Sequence, residues 1–267
     1  VLDMQHGCLN YETVYECIHV LRAGGAKPWV RTPIDNYSEI NKILDLGAQG
    51  IVVPMINSRE AAEKAAAAAK YPPLGERSIG GDSWYHWGSD YPETANEMTW
   101  LLVQIEHIDA VNAVEEILSV DGVDGCFVGP TDLALSLGLT RQDVETSPEV
   151  AAGVQKTLDV CRRLGKIACC NTYSAAEARE KAAQGYACIT MRSDVDLFVS
   201  SASRLLKEIR RSVPFSRRLT FSLWRHNIMS PPAVEKTAYS QGTSPAADNT
   251  GTRIIAVITA RMEPSET

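Results

Sequence analysis

Along this chain, short apolar runs of strand length alternate with longer segments in which apolar residues recur at the i, i+3, i+4 spacing of a helix. The runs cover residues 27–30, 50–54, 100–105, 125–128, 166–170 and 187–191. Between them, 36–46, 58–70, 109–119, 147–164 and 175–184 combine that periodicity with good helix formers. Counting residues 1–3 as the end of a strand, seven strands occur by Met191, and a helix follows over 195–211. Such alternation specifies a parallel sheet, because parallel neighbours need a crossover and here each crossover is helical. The punctuation agrees. Ser58 and Ser174 stand at N-cap positions, the second with Glu177 three residues on as in a capping box, and Gly47, Gly165 and Gly185 fall where left-handed helix ends belong.

These elements predict a TIM (β/α)8 barrel domain over residues 1–212. A closed barrel has eight strands, so the count implies that a first strand–helix unit is missing from this sequence. After Ser212 the pattern stops: residues 213–267 are rich in Pro, Ser, Thr and Asn and hold a single strand-like run, 253–259. This stretch reads as an irregular, poorly ordered C-terminal tail; alternatively, its run fills the vacant edge beside the strand ending at Asp3.

Composition narrows the class. A chain of 267 residues, 45% hydrophobic, suffices for one large core. A formal charge of -7 argues against a nucleic-acid or anionic-membrane surface, so any positive charge that binds substrate is local. The seven cysteines are an odd number without CxxC spacing, and Cys169 and Cys170 sit in an apolar run, as buried thiols of a reduced, cytoplasmic protein would. No apolar stretch reaches 18 residues, and no secretory leader pattern occurs.

In a parallel barrel the chemistry lies where strands end, because the loops there form the mouth. Glu106 ends one strand and Asp132 follows the next; two carboxylates with open positions suit a hard divalent ion such as Mg2+ or Mn2+. The alternative, left open by spacing alone, is that each pairs with a Lys or Arg at a loop base. Arg31 ends an apolar strand and offers a fork of donors to a carboxylate or an enolate oxygen; a structural ion pair explains it equally well. His6 lies three residues after Asp3, which can orient its ring for proton transfer. Gln104 shares the strand of Glu106, and Gly129-Pro130-Thr131 reads as a turn into a helix whose backbone N–H groups can cradle a carboxylate. His19 and His107 fit packing roles better. The aromatic cluster Trp84, Tyr85, His86, Trp87 and Tyr91 falls in an expected long loop after Pro72-Pro73, suited to a lid or, more simply, a subunit contact.

Seven stretches, in order over residues 1 to about 211, resemble the HpcH/HpaI aldolase/citrate lyase family: Asp3-Met4-Gln5-His6-Gly7, Val30-Arg31-Thr32-Pro33, residues 44–50, Val53-Pro54-Met55, Tyr71-Pro72-Pro73 with Gly75-Glu76-Arg77-Ser78, Val103-Gln104-Ile105-Glu106, and residues 124–133. The resemblance implies a homo-oligomeric, hexameric, metal-dependent pyruvate aldolase that joins or splits a 2-oxo acid and an aldehyde. It implies that Glu106 and Asp132 hold Mg2+, Mn2+ or Co2+ with Gln104 nearby, that Arg31 steadies the keto or enolate oxygen, that His6 with Asp3 moves protons, and that Gly129, Pro130 and Thr131 take the substrate carboxylate. Where the family pattern places Gly-Glu between Asp and His, this chain has Met4-Gln5. No lysine stands among the matching strand-end residues, so no Schiff base is implied. Oxaloacetate decarboxylation is an expected side activity, since it yields the same enolate. Two other functions compete: an acyl-CoA lyase of the citrate-lyase branch, and a non-catalytic barrel remnant serving as a binding or assembly partner.

Overall fold

The computed structural model describes residues 1–34, 37–81, 83–212 and 257–258. Seven parallel strands form a curled sheet in chain order: β1 (Leu2–Asp3), β2 (Trp29–Arg31), β3 (Gly50–Val53), β4 (Trp100–Ile105), β5 (Gly125–Val128), β6 (Ile167–Thr172) and β7 (Cys188–Met191). The described helices are α1 (Tyr11–Ala23), α2 (Tyr37–Asp45), α3 (Arg59–Ala69), α4 (Ser83–Trp87), α5 (Tyr91–Met98), α6 (Ile108–Asn112), α7 (Val114–Leu118), α8 (Pro130–Ser136), α9 (Pro148–Leu164), α10 (Ala175–Ala183) and α11 (Asp194–Ser212). Because spatial order equals sequence order, each crossover advances one place, the winding of a TIM-like α/β fold.

Alternation of side chains divides the core in two. Val30, Ile51, Val53, Leu101, Val103, Cys126, Ala168 and Ile189 pack with helix residues such as Ile18, Ile43, Ala65 and Leu158. The intervening positions Val52, Leu102, Cys169 and Cys188, with Trp29, Phe127 and Ile167, form a separate cluster on the inner face. Cys169 and Cys170 are therefore both buried, on opposite faces of β6.

Local chemistry explains most boundaries. Ser58 Oγ accepts from the Ala61 amide, and Gly47, Gly165 and Gly185 take φ of +100°, +66° and +92°. Ser174 caps α10 through the Glu177 amide, but Glu177 returns its bond to the Tyr173 amide at 2.7 Å, one residue before the position a capping box would use. The second strand starts at Trp29 instead of residue 27, since Pro28 has no N–H to give a ladder. The expected helix over 109–119 breaks at Ala113 into α6 and α7. The expected long aromatic loop instead contains α4 and α5, with Pro92 in the first turn of α5. Tyr91 is buried against Tyr71 and Ala95, and its hydroxyl accepts from Arg77 at 3.0 Å, so it anchors this segment rather than serving a partner contact.

The compact unit containing the sheet runs over Val1–Ser193 and, among the later described residues, takes in Val257–Ile258; α11 falls in a second unit. Phe198 of α11 is 73% exposed. Of the expected run 253–259, Val257–Ile258 form β8, antiparallel to β7 with Ile189 opposite Ile258, and not beside β1. The rest of the expected irregular tail, 213–267, lies outside the described residues. No described helix is long and apolar enough to cross a membrane.

Lys70 shows how the base of the sheet is tied together. Its side chain is 1% exposed, and its ammonium donates to the carbonyls of Asn96 (3.0 Å) and Thr99 (2.6 Å) and to Asp124 Oδ2 (3.1 Å). That carboxylate also accepts from the Leu101 amide, linking β4 to the entry of β5. Lys70→Ala is expected to cost about 3 kcal/mol in urea-unfolding stability, the scale for breaking a buried ion pair; a loss under about 1 kcal/mol would show that the network is dispensable.

Candidate active site

Four of the interior positions that follow the inner cluster toward the C-terminal ends of the strands are polar. Arg31 lies two residues beyond Trp29, Gln104 two beyond Leu102, Asn171 two beyond Cys169 and Thr190 two beyond Cys188. Glu106 continues the Gln104 row, just past β4.

Glu106 is the centre of this arrangement. It is 2% exposed, its Oε1 accepts from the Met55 amide at 2.9 Å, and its Oε2 accepts from Gln104 Nε2 at 2.6 Å. Met55 holds a left-handed φ of 55°, which turns its N–H toward the carboxylate just after β3. Burial pushes the Glu106 carboxyl up to about 7; the Asp132 charge adds to the rise, while the Met55 amide, the Arg31 charge and Gln104 oppose it. Asp132 sits in the first turn of α8, exposed, its side chain without a hydrogen bond or ion pair among the described residues.

Asp3 and Arg31 form a two-pronged pair: Nε to Oδ1 at 2.9 Å and Nη2 to Oδ2 at 2.6 Å. Asp3 Oδ1 also accepts from the backbone amides of Gln5 (3.0 Å) and His6 (3.3 Å). Burial by itself would raise the Asp3 carboxyl, but Arg31 and these amides outweigh it and hold the group below its ordinary value. Asp3, expected to orient the His6 ring, has other partners in the structure. Among the described residues no hydrogen bond joins the two side chains; Asp3 meets His6 through its amide, and the carboxylate plane is taken by the better-matched guanidinium. His6 is exposed beside it.

The Gly129 turn also differs from its sequence reading. Its N–H donates to the Ile105 carbonyl at 3.0 Å, and Pro130 has none, so within 129–131 only the Thr131 amide remains for a substrate carboxylate. Gly129 matters for space: a Cβ there would lie 2.6 Å from Glu106 Cβ and 2.9 Å from its Oε2.

The donor set fits a hard divalent cation. A buried carboxylate with no cationic side chain in ion-pair contact faces the charge of a second one, and Gln104 Oε1 is buried beside them with no hydrogen-bond partner among the described residues. No described group of three or more His, Cys, Asp or Glu side chains is placed to hold a metal, so an ion here would take two carboxylates and leave positions open to substrate. Among the described residues, His107 Nδ1 accepts from the Asp109 amide, and the His19 and Tyr15 ring centroids lie 4.3 Å apart.

Three groups on this inner surface were not singled out in the sequence. The Met55 amide is hidden because a backbone donor leaves no side-chain signature. Asn171 and Thr190 carry a usable signal, polar residues at an inner register position of a strand end; ending the expected sixth strand at residue 170 obscures Asn171, while Thr190 lies inside the expected run 187–191.

Comparison with known proteins gives the kinship of this site. The HpcH/HpaI aldolase/citrate lyase family matches residues 1–201. The chain is 36% identical over 211 residues to a hydroxypyruvate/pyruvate aldolase of Rhizorhabdus wittichii, covering 79% of this chain and 84% of that protein. It is 34% identical over 170 residues to a 4-hydroxy-2-oxo-heptane-1,7-dioate aldolase of Salmonella dublin, covering 62% and 64%. The crystal structure of an HpcH/HpaI aldolase from Desulfitobacterium hafniense superposes with a TM-score of 0.72 at 28% identity, over 80% of this chain and 83% of that one. These relatives support an aldolase function, and the chain belongs to the HpcH/HpaI aldolase/citrate lyase family.

Proposed function

We propose that the chain is a class II, divalent-metal-dependent pyruvate aldolase of the (β/α)8 type, acting on 4-hydroxy-2-oxo acids. The observation that carries this reading is the buried Glu106 carboxylate, held by a neutral amide and a backbone N–H, within reach of the Asp132 charge and the Arg31 guanidinium. Glu106 and Asp132 would hold Mg2+, Mn2+ or Co2+, which when bound supplies a Lewis acid for the 2-oxo group.

The residues divide the remaining work. Arg31, fixed by Asp3, directs positive charge at the oxygen that becomes negative as the C3–C4 bond breaks. Thr131 N–H receives the carboxylate, and Gly129, lacking a Cβ, leaves room for the Glu106 side chain beside that turn. His6 takes the proton of the 4-hydroxyl; the bond electrons pass to the pyruvate enolate, the aldehyde leaves, and a proton returned to C3 completes pyruvate. Oxaloacetate decarboxylation as a side reaction, homo-oligomeric assembly and a cytoplasmic location belong to the same reading.

The test is pyruvate release from 4-hydroxy-2-oxoheptanedioate, with and without chelator. Release that requires Mg2+ or Mn2+, with no cleavage of malyl or citramalyl thioesters, is the expected result. The reverse preference would assign the chain to the acyl-CoA lyases of the citrate-lyase branch.

A further inference from the structure

The inner row that carries Glu106 does not stop at the metal carboxylates. Gln104 pairs with Phe127, Phe127 with Cys169 and Cys169 with Cys188, each in register across β4 to β7. Two residues further on, the same row therefore runs through Glu106, Gly129, Asn171 and Thr190, and the last two are register partners. Gly129 contributes no side chain and lies against Glu106 itself, so no further side chain of the row stands between Glu106 and Asn171. That gap covers two strand spacings, about 10 Å, which is further than a three-carbon acid reaches.

At the far end, Asn171 is held in one orientation. Thr190 Oγ1 donates to Asn171 Oδ1 at 2.8 Å, and Thr190 is itself 3% exposed, with Thr172 Oγ1 donating to its carbonyl at 3.0 Å. With Oδ1 engaged, the Asn171 Nδ2 group carries two N–H donors, and neither meets a partner among the described residues. A partly buried amide fixed in this way is a prepared donor site for an oxygen.

We propose that Asn171, positioned by Thr190, is the specificity residue for the aldehyde fragment, donating to the hydroxyl of a 2-hydroxyaldehyde. This rests on the aldolase reading above. The pyruvyl oxygens are taken at the Glu106, Arg31 and Thr131 end, so the oxygen that reaches Asn171 belongs to the acceptor carbons. An acceptor with an alkyl group in that place leaves the Nδ2 donors unmet, and the site discriminates against it.

The experiment measures pyruvate addition to glycolaldehyde and to propionaldehyde, which differ by one hydroxyl in place of a methyl group, with oxaloacetate decarboxylation as an acceptor-free reference. The wild-type chain should favour glycolaldehyde in kcat/KM by about tenfold, the worth of one hydrogen bond. Asn171→Leu should erase that preference and keep decarboxylation within about twofold, since CO2 loss involves no acceptor. Thr190→Val should reduce the preference in the same sense, and Thr190→Ser should restore it. An unchanged preference in Asn171→Leu overturns the proposal. So does a parallel fall in addition and decarboxylation, which would place Asn171 on the pyruvyl fragment or in the fold. A wild-type chain with neither metal-dependent reaction would instead overturn the aldolase reading itself.

Discussion

Glu106→Gln is expected to abolish metal binding and aldol cleavage together. The substitution keeps the shape, and the Met55 amide can still donate to the new side-chain oxygen, but the anionic ligand is gone from a site that has two. Loss of several kcal/mol of charge stabilisation corresponds to a rate at least about 10³-fold lower. Calorimetric titration with Mn2+ and a pyruvate-release assay read the two losses separately. Asp132→Asn should behave alike. Full activity with normal metal affinity in either variant would end the assignment.

Stability separates this effect from unfolding. The Glu106 carboxyl titrates near 7 in the folded chain and near its ordinary 4.5 when unfolded. Between those values the folded state binds the extra proton, so Glu106 makes stability fall as pH rises through that window. The neutral amide introduced by Glu106→Gln cannot titrate, and the metal-free variant should therefore be at least as stable as the parent at pH 8.

His6→Ala is expected to slow retro-aldol turnover by roughly 10²–10⁴-fold, the range for a positioned acid–base group. Metal affinity should stay within a small factor. Oxaloacetate decarboxylation should suffer less, because no hydroxyl has to lose its proton there and the shared enolate is stabilised elsewhere in the site. Equal losses in both reactions with metal still bound would place His6 in substrate placement instead. The structure adds a distinction for its neighbour: Asp3 acts on the Arg31 fork and on the loop amides, so Asp3→Asn should weaken both reactions rather than the aldol step alone.

Much of the fold is legible in the chain because it is written locally. The inner and outer faces of β4 and β5 follow from alternate residues, and α9 is announced by Ser147, Pro148 and the glycine at 165. The segment 83–98 is less legible. Its two short helices depend on Tyr91 being buried under Arg77 and Tyr71, a contact between separate stretches that no local period reveals.

The order of strands and helices, the placement of charged residues at strand ends, and the family can all be read from the residues in line, since propensity, alternation and contiguous motifs act over a few residues at a time. The choice of partners cannot, and it came with the folded chain. Folding put the Arg31 fork on Asp3 where the His6 ring was expected, and it committed the Gly129 amide to Ile105. It also buried Glu106 between Met55 and Gln104 and set Asn171 against Thr190 on the same inner row. Each of these depends on register between strands or on packing between distant segments, where the choice among several chemically adequate partners is made by distance and desolvation rather than by residue type.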